Sequence, residues 1–445
     1  MSVPFCDADR CAAAGCDATV CRGAGLASND EIFARSTRVI PGVVNSSIRA
    51  FNSVGGRPYV VSRAEGPYVF DVEGHRYIDL VQSYGAVILG HAHPAVTRAV
   101  TAAAVDGTSY GAPTTREMKL AELISERMPS CEQVRLMNSG TEATSTAVRL
   151  ARGYTGRNRV VIFHGCFHGA TDALLAAGGS GVATLGLPGT AGVPAGAVAE
   201  TLVVPYNQVP TLGDDVAAII IEPVAANMGV VAPAPGFLAA LRAECDRVGA
   251  LLVFDEVITG FRVDRGGAQA VYDVRPDLTT FGKVIGGGLP IGAVGGRADV
   301  MGTLSPLGPV FHSGTLSGNP IATAAGLAAL GELDGDVYME LLARSHRLAA
   351  VLRNGCAAGG FAAQFPVVAT LVGMFCGEGD RPVDFDGARR TDEAAYARFF
   401  HAMLDEGVAM APGAYEAIFV GLAHTDDVIE EIGAAAARAA RVAAL

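Results

Sequence analysis

Residues 251–262, LLVFDEVITGFR, and residues 277–290, DLTTFGKVIGGGLP, carry the pattern that decides the fold. The first segment opens with four apolar residues at 251–254, a run short enough to be a buried strand. The carboxylates Asp255 and Glu256 follow where that strand should end, which is where open α/β sheets bind their ligands. Lys283 lies in the second segment, just before three consecutive glycines. We therefore predict an α/β fold with a ligand site at the strand ends.

Lys283 is one of only two lysines, the other being Lys119, among 33 lysine and arginine residues. Arginine stays protonated in proteins, whereas lysine can lose its proton and act as an amine nucleophile. Lys283, with apolar and glycine neighbours, is therefore a candidate for Schiff-base chemistry with a carbonyl group. The alternative is a partly buried lysine whose ammonium group reaches the surface. Lys119 falls on the expected polar face of a helix at 115–128, so we predict that it faces solvent.

Length and composition limit the classes of protein that the chain can represent. Its 445 residues suffice for a large core and two lobes. Half of the residues are hydrophobic and 18% are charged, which excludes disorder over most of the length. The net charge of −12 and the lack of basic runs argue against nucleic acid or an anionic membrane as a partner. With no signal-peptide pattern and no apolar stretch of membrane-spanning length, we expect a soluble, cytoplasmic protein.

Neither of two groups of potential metal ligands is interpreted as a metal site. Four of the nine cysteines are spaced by five residues near the N-terminus: Cys6, Cys11, Cys16 and Cys21. These intervals do not match the usual zinc spacings, so a flexible tail is favoured over a metal site. His91 and His93 precede a predicted helix at 94–105, and no further ligands follow at metal-binding spacing. We predict a structural turn there and no metal in the protein.

The pattern of predicted elements divides the chain into four parts. Strands alternate with helices through residues 130–300, which predicts a mainly parallel sheet. From about residue 334 the pattern changes to a smaller α+β lobe that includes an apolar strand at 367–375. The predicted parts are a Cys-containing tail at 1–29, a segment with small antiparallel strands at 30–85, a large domain at 86–333 and a small domain at 334–445. A glycine-rich loop at 176–194 is interpreted as a lid, with disorder as the alternative.

Polar or small residues follow three further predicted strands, at 134–137, 159–163 and 217–221. A helix that starts after the first strand exposes N–H groups that bind phosphate well, although simple N-capping explains the same residues. The side chains at the other two strand ends are candidates for contacts with a bound group. The residues at these ends are Ser139, Gly140, Thr141, Phe167, His168, Glu222 and Asn227.

Four of these features match the requirements of pyridoxal phosphate. The aldehyde of that cofactor condenses with an amine, for which Lys283 is available, and its ring nitrogen stays protonated beside a carboxylate such as Asp255. The start of the helix at Ser139 would hold its phosphate. Phe167 would cover one face of its ring. The sequence therefore predicts a pyridoxal phosphate site.

The chain resembles the class III, fold type I pyridoxal-phosphate-dependent aminotransferases from about residue 28 to residue 445. LLVFDEVITGFR and FGKVIGGGLPIGA are similar to the general signature of that family. Five further stretches resemble the aminomutase branch of the family, which converts glutamate-1-semialdehyde to 5-aminolevulinate. They are IPGVVNSSIRAF, MNSGTEA, GSGVATLGLPGTAGVP, GTLSGNP and YEAIFVGLAHT. The resemblance implies a large domain with a mainly parallel sheet, a smaller α+β C-terminal domain, and a homodimer with shared active sites. It also implies a small amino-aldehyde or amino-acid substrate and a cofactor that starts as pyridoxamine phosphate.

The resemblance implies a role for each matching cofactor residue. Lys283 would bind the cofactor and shuttle a proton, and Asp255 would pair with the ring nitrogen. Val257 would pack on the ring face opposite Phe167. The backbone of Gly140 and Thr141 would bind phosphate, and Asn227 would lie near the phenolic oxygen, with His168 and Glu222 close by. Thr315 would reach the phosphate from a second subunit.

The same resemblance implies a set of substrate residues. Arg49 would pair with the substrate carboxylate, Ser180 would lie on the gating loop, and Glu416 would favour the mutase course over open transamination. Ser46 and Tyr84 would also face the substrate.

Several positions depart from the family pattern, and we interpret them as lying around the substrate pocket. Tyr84 replaces tryptophan, Phe167 replaces tyrosine, Ala170 replaces histidine, Met228 replaces a small residue, and Phe311-His312 replaces a Tyr-Gln pair. These changes leave open a second hypothesis, an aminotransferase or aminomutase acting on another amino acid or aldehyde. A non-catalytic binding or scaffold protein is a third. A dinucleotide-binding protein is disfavoured, because Gly286-Gly287-Gly288 lacks the G-x-G-x-x-G spacing.

Overall fold

The computed structural model describes residues 28–176 and 190–445. The four cysteines of the predicted tail and Ser180 of the predicted lid lie outside these residues. The strands are β1 Val61–Glu65, β2 Tyr68–Asp71, β3 Arg76–Asp79, β4 Gln133–Met137, β5 Arg159–Phe163, β6 Thr201–Val204, β7 Val216–Ile221, β8 Leu251–Asp255, β9 Leu278–Phe281, β10 Gly292–Gly296, β11 Ala363–Gln364, β12 Val367–Val368, β13 Leu371–Val372, β14 Phe375–Cys376, β15 Val408–Ala409 and β16 Ile418–Phe419.

The helices alternate with these strands through the first two thirds of the chain. They are α1 Asn29–Ser36, α2 Pro94–Val105, α3 Thr115–Arg127, α4 Gly140–Thr155, α5 Ala195–Val198, α6 Phe237–Val248, α7 Gly267–Tyr272, α8 Ala298–Met301, α9 Pro320–Gly331, α10 Gly335–Gly359, α11 Phe385–Ala388, α12 Glu393–Asp405 and α13 Asp426–Ala443. None of the helices in residues 28–176 and 190–445 is long and apolar enough to cross a membrane.

A seven-stranded sheet in the order β4-β10-β9-β8-β7-β5-β6 forms the centre of the large domain. Only β10 runs antiparallel to its neighbours, β4 and β9. The other pairs are parallel. The prediction of a mainly parallel sheet is therefore confirmed, and the carboxyl ends of β4, β5, β7, β8 and β9 lie along one edge.

Helices cover both faces of this sheet, which explains the unbroken apolar runs of its central strands. Every residue of β7 and β8 is buried. Along β8, Leu252 and Phe254 pack toward α6. Leu251 and Val253 point to the opposite face, toward α4. The alternation follows from the two-residue period of a strand.

The C-terminal lobe is α+β, as predicted, but the single strand predicted at 367–375 is wrong. The segment forms three two-residue strands, β12, β13 and β14. Ala369 has a φ of 49°, and Val368 pairs with Leu371, so the chain reverses direction within this segment. The apolar run gave no sign of this turn, because both arms are buried. The lobe also shares a sheet with the N-terminal segment, since β15 pairs in parallel with β3.

The minor structural predictions about Lys119 and the two histidines are confirmed. Lys119 is exposed on α3. His91 places Nε2 2.6 Å from Oδ2 of Asp79, and His93 directly precedes α2. His91 is therefore bound to a carboxylate within the turn.

His424 lies at the junction of the two lobes and is fully buried. Its Nδ1 accepts a hydrogen bond from the Gly421 N–H at 3.0 Å, and its Nε2 lies 3.1 Å from the Asp79 carbonyl oxygen. Only the neutral ring with its proton on Nε2 satisfies both contacts. Burial accordingly lowers the pKa of His424 from 6.5 to about 4.

We expect His424 to make the folded protein less stable as the pH falls from 6.5 towards 4. The unfolded chain binds a proton in this range and the folded chain does not, so the group costs about 2 kcal/mol of unfolding free energy between pH 7 and pH 5. Urea unfolding of the parent and of His424→Asn at both pH values measures this difference. His346→Asn, at an exposed position, is the control and should keep the parent's pH dependence. An identical dependence in His424→Asn would contradict the assignment.

Candidate active site

A cavity of about 240 Å³ lies at the carboxyl edge of the central sheet. It brings together ten of the residues that the sequence singled out: Ser139, Gly140, Thr141, Phe167, His168, Glu222, Asn227, Asp255, Val257 and Lys283. Thr144, Gly169 and Ile258 complete the lining. The site is therefore assembled from the ends of five strands that are far apart in sequence.

Asp255, the last residue of β8, is buried and held by three hydrogen bonds. Its Oδ1 accepts from the Val257 N–H at 3.1 Å and from the Thr280 hydroxyl at 3.0 Å. Its Oδ2 lies 2.7 Å from Nδ1 of His168. These donors hold the carboxylate in a fixed orientation at the wall of the cavity.

His168 is the second member of this buried pair. Because a carboxylate accepts hydrogen bonds, Nδ1 of His168 carries the proton that it shares with Asp255. The hydroxyl of Thr144 donates to the His168 carbonyl oxygen at 2.7 Å. The buried Nε2 has no hydrogen-bond partner among residues 28–176 and 190–445. The ring therefore orients Asp255 and presents one unsatisfied polar atom.

Glu222 follows β7 and holds two other cavity residues by their backbone. Its Oε1 accepts from the Phe167 N–H at 2.7 Å, and its Oε2 accepts from the N–H groups of Ala226 and Asn227 at 3.1 and 3.4 Å. Burial raises the pKa of Glu222 to about 7. Glu222 thus positions the Phe167 ring and the Asn227 side chain.

Lys283 follows β9 and adopts a left-handed backbone with a φ of 49°. Burial lowers the pKa of its amine, while the negative charges of Glu222, Asp255 and Glu416 oppose this shift. A residue other than glycine is uncommon in this conformation, and such residues are typical of functional sites. The environment therefore favours the neutral amine that a nucleophile requires.

The start of α4 forms a narrow cradle beside Val257. Ser139 caps the helix by accepting from the Glu142 N–H at 3.2 Å. The N–H groups of Gly140 and Thr141 lie in the first turn, where a helix has no internal acceptors. A Cβ atom at Gly140 would lie only 3.0 Å from a methyl group of Val257. A side chain at this position would therefore have to push Val257 aside by a few tenths of an ångström.

Three of the predicted substrate residues lie near one another, and one of them, Glu416, also acts on Lys283 through its charge. Burial raises the pKa of Tyr84, the charge of Glu416 raises it further, and the charge of Arg49 opposes the shift. These three side chains are therefore within electrostatic range of one another. Ser46 and Arg49 are exposed. Thr315 is exposed and lies outside the cavity, in a separate cleft that Tyr110 also lines.

Tyr84 belongs to a turn in which three consecutive residues other than glycine adopt a left-handed backbone conformation. Gln82, Ser83 and Tyr84 have φ values of 48°, 52° and 54°, and Gly85 follows at 92°. Each such residue other than glycine costs about 1 kcal/mol or more, so surrounding contacts must hold the turn in place. Oδ1 of Asp79 supplies two, accepting from the Val81 and Gln82 N–H groups at 2.8 and 3.1 Å.

The expectation that all the unusual residues surround the substrate pocket is wrong for Met228. Met228 is fully buried in the apolar core, where its methyl group faces Gly165. It fills space between elements and does not line the cavity. Phe311 is 68% exposed, and Ala170 is exposed with its N–H on the Thr141 hydroxyl at 3.2 Å. Of the changed positions, only Phe167 lines the cavity.

Glu256 and Arg262, both in the LLVFDEVITGFR segment, do not line the cavity, and the sequence alone did not distinguish them from the site residues. Glu256 turns away from the cavity and accepts from the Ala268 N–H at 2.7 Å and the Thr259 hydroxyl at 2.9 Å, so it holds the start of α7. Arg262 is fully buried at the junction of the lobes. Successive side chains of a strand point to opposite faces, so Glu256 should point away from the cavity if Asp255 faces it. This alternation is the sequence signal that could have separated the two carboxylates.

Comparisons with known proteins agree with this geometry. Residues 51–432 match the family model described as "Aminotransferase class-III". A glutamate-1-semialdehyde 2,1-aminomutase of Bordetella avium is 51% identical over 91% of this chain and 96% of that protein. Among solved structures, an omega-transaminase from Sphaerobacter thermophilus is 31% identical, covers 95% of this chain and 99% of its own, and superposes with a TM-score of 0.84. A structure described as "Transaminase with PLP bound" is 30% identical, covers 93% of this chain and 97% of its own, and has a TM-score of 0.82.

The family model covers most of the chain, and the Bordetella relative is matched over nearly its whole length. The chain therefore belongs to the class III aminotransferases, pyridoxal-phosphate-dependent enzymes with the fold type I architecture.

Proposed function

We propose that this chain is a pyridoxal-phosphate-dependent aminomutase that converts glutamate-1-semialdehyde to 5-aminolevulinate by internal amino transfer. The main support is that Lys283, Asp255 and the start of α4 open into one cavity. The named activity of the Bordetella relative, at 51% identity, supports the choice of substrate.

The residues present fit the cofactor. A Cβ atom at Gly140 would crowd Val257, and backbone N–H groups at a helix start suit a phosphate. Asp255 lies across the site, with its orientation fixed by His168 and Thr280. Val257 and Phe167 line the same cavity and would flank a flat ring. We propose that the working cycle begins with the pyridoxamine form.

Each side chain has a defined task in this reaction. When bound, the cofactor supplies an electron sink for a carbanion at the amine-bearing carbon. Lys283, whose pKa is lowered by burial, would shuttle the proton between the substrate carbon and the cofactor. Asp255 keeps a proton on the ring nitrogen. Arg49 binds the substrate carboxylate, and Tyr84 and Glu416 border the substrate amine and aldehyde.

We propose that the active enzyme is a cytoplasmic homodimer in which each subunit completes the other's site. Thr315 is exposed and lies away from its own subunit's cavity. A second copy would bring Thr315 to the phosphate end of the cradle.

The decisive experiment supplies the purified pyridoxamine form with glutamate-1-semialdehyde and no amino donor. We expect 5-aminolevulinate to form over many turnovers, because internal transfer needs no second substrate. Failure to form 5-aminolevulinate would exclude the proposed function.

A second candidate is an aminotransferase that acts on another amino acid or aldehyde. The observation in its favour is Phe167, which lines the cavity without the hydroxyl that the family usually has there. A site that loses a hydrogen-bonding group changes its choice of substrate. In the same assay, product that appears only after an external amino donor is added would support this candidate.

We expect Gly140→Ala to weaken cofactor binding about tenfold, or ~1.4 kcal/mol. The added methyl would displace Val257 from the ring face. Equilibrium titration of the apoenzyme, followed by the absorbance of bound cofactor, measures this change. Gly331→Ala is the matched control, because nothing lies within 4 Å of a Cβ at that helix position. Equal affinities in the two variants would contradict the cradle.

A further inference from the structure

Arg262 is a fully buried arginine that forms no ion pair with any residue the structure describes. Burial lowers the pKa of its guanidinium to about 10, and its Nε has no hydrogen-bond partner in the described part of the chain. A buried charge without a carboxylate is costly to fold around. Its contacts therefore need a functional explanation.

The guanidinium of Arg262 joins two segments that come from opposite ends of the chain. Its Nη2 donates to the Gly85 carbonyl oxygen at 3.1 Å, and its Nη1 donates to the Val420 carbonyl oxygen at 2.8 Å. Its Cζ lies 5.3 Å from the centre of the Phe419 ring. One planar cation thus holds two backbone carbonyls and an aromatic ring.

The first of these segments is the left-handed turn that ends at Gly85 and carries Tyr84. The second consists of β16 and the following residue, Val420, and it begins two residues after Glu416. The Phe419 N–H donates to the Leu80 carbonyl oxygen at 2.9 Å, so the segments also touch directly. A Cβ atom at Gly85 would lie 2.6 Å from the Phe419 ring, which shows how closely they pack.

We propose that Arg262 is a positioning residue that holds the Tyr84 turn against the Glu416 segment and so sets the shape of the substrate site. The assignment rests on the proposed function in taking Tyr84 and Glu416 as substrate contacts. Arginine suits the task because its fixed fork reaches both carbonyls at once, which a lysine ammonium does less well. The strained backbone at 82–84 explains why the turn needs such support.

The chain contains no tryptophan, so a single one can report on the turn. In holoenzyme carrying Tyr84→Trp, we expect Arg262→Met to raise the acrylamide quenching constant about twofold, because the loosened turn exposes the indole. Arg262→Gln, which can still donate to one carbonyl, should fold more readily and show a smaller rise. Arg127→Met is the matched control. Arg127 is partly buried and, like Arg262, donates to a backbone carbonyl, that of Leu330 at 2.8 Å, but it does not line the cavity.

Quenching that stays at the parent value in either folded Arg262 variant would overturn the proposal. So would an equal rise in Arg127→Met. This readout needs no substrate, so it decides the role of Arg262 even if 5-aminolevulinate is never formed. If no 5-aminolevulinate forms but quenching rises in the Arg262 variants, the proposed function is rejected and the positioning role of Arg262 stands.

The kinetics of the same substitutions, made with Tyr84 in place, separate positioning from a general loss of structure. We expect Arg262→Gln to raise KM for glutamate-1-semialdehyde about tenfold and to change kcat less, since substrate contacts shift while Lys283 stays in place. The absorbance of bound cofactor should stay at the parent value. Loss of that absorbance together with kcat would mean that Arg262 only supports the fold, and it would overturn the positioning role.

Discussion

Replacement of Lys283 by arginine is expected to abolish turnover, with a loss of about 10³-fold or more. Arginine keeps the positive charge but cannot release its proton at any pH that the protein survives. The variant therefore lacks both the amine that joins the cofactor and the base that moves the substrate proton. Burial lowers the pKa of Lys283 and so favours its neutral amine. Arginine cannot supply such a neutral form.

The second lysine of the chain provides the matched control. Lys119→Arg makes the same chemical change on the exposed face of α3 and should retain parental turnover. Circular dichroism and thermal unfolding of both variants test whether the fold is intact. Appreciable 5-aminolevulinate formation by a folded Lys283→Arg variant would contradict the assigned role.

The central elements could be predicted because their burial leaves a direct mark on the sequence. β5 and α2 have the predicted bounds, and β8 extends by one residue to include Asp255. A strand covered on both faces must be apolar throughout, so short unbroken runs identify it. The cavity residues followed from one rule: polar side chains at the ends of parallel strands meet at one edge of the sheet.

β10, which the sequence reading did not identify, shows where this reasoning fails. Its sequence, GAVGG, carries three glycines and has little strand propensity. The structure needs them for close packing: a Cβ at Gly296 would lie 2.4 Å from the Asp277 carbonyl oxygen, and one at Gly295 would lie 2.8 Å from Cys131 Sγ. Contacts of this kind depend on residues distant in sequence. The same is true of the carbonyls that Arg262 binds.

The substrate residues were the least predictable part of the site. The resemblance pointed to Met228 as a pocket residue, but its side chain fills the core. Neither the left-handed backbone of the Tyr84 turn nor its attachment to the C-terminal lobe has a local sequence signal, because Gln82 and Ser83 are not residues that favour positive φ. Long-range contacts impose this conformation.

Replacement of Asp255 by asparagine is expected to lower turnover by about 10²- to 10³-fold while cofactor still binds. The amide has nearly the shape of the carboxylate but no charge, so it cannot hold a proton on the ring nitrogen. It also disturbs the oxygens that now accept from His168 and Thr280, because one of them becomes an N–H₂ group. Turnover and the absorbance spectrum of bound cofactor, measured on the same sample, separate a failure of chemistry from a failure of binding.

Asp277→Asn is the matched control for this experiment. Asp277 is also buried, but it precedes β9, at the edge of the sheet opposite the cavity, and it binds Arg242 and Arg297 at 2.6 and 2.8 Å. Because Arg242 also pairs with Asp246 and Arg297 with Asp299, the loss of this charge should cost about 2 kcal/mol of unfolding free energy, and turnover of the folded protein should persist. If the two variants lost turnover in proportion to their stability, the charge of Asp255 would have no special part in the reaction. Because only Asp255 faces the cavity, we expect turnover to fall sharply in Asp255→Asn alone.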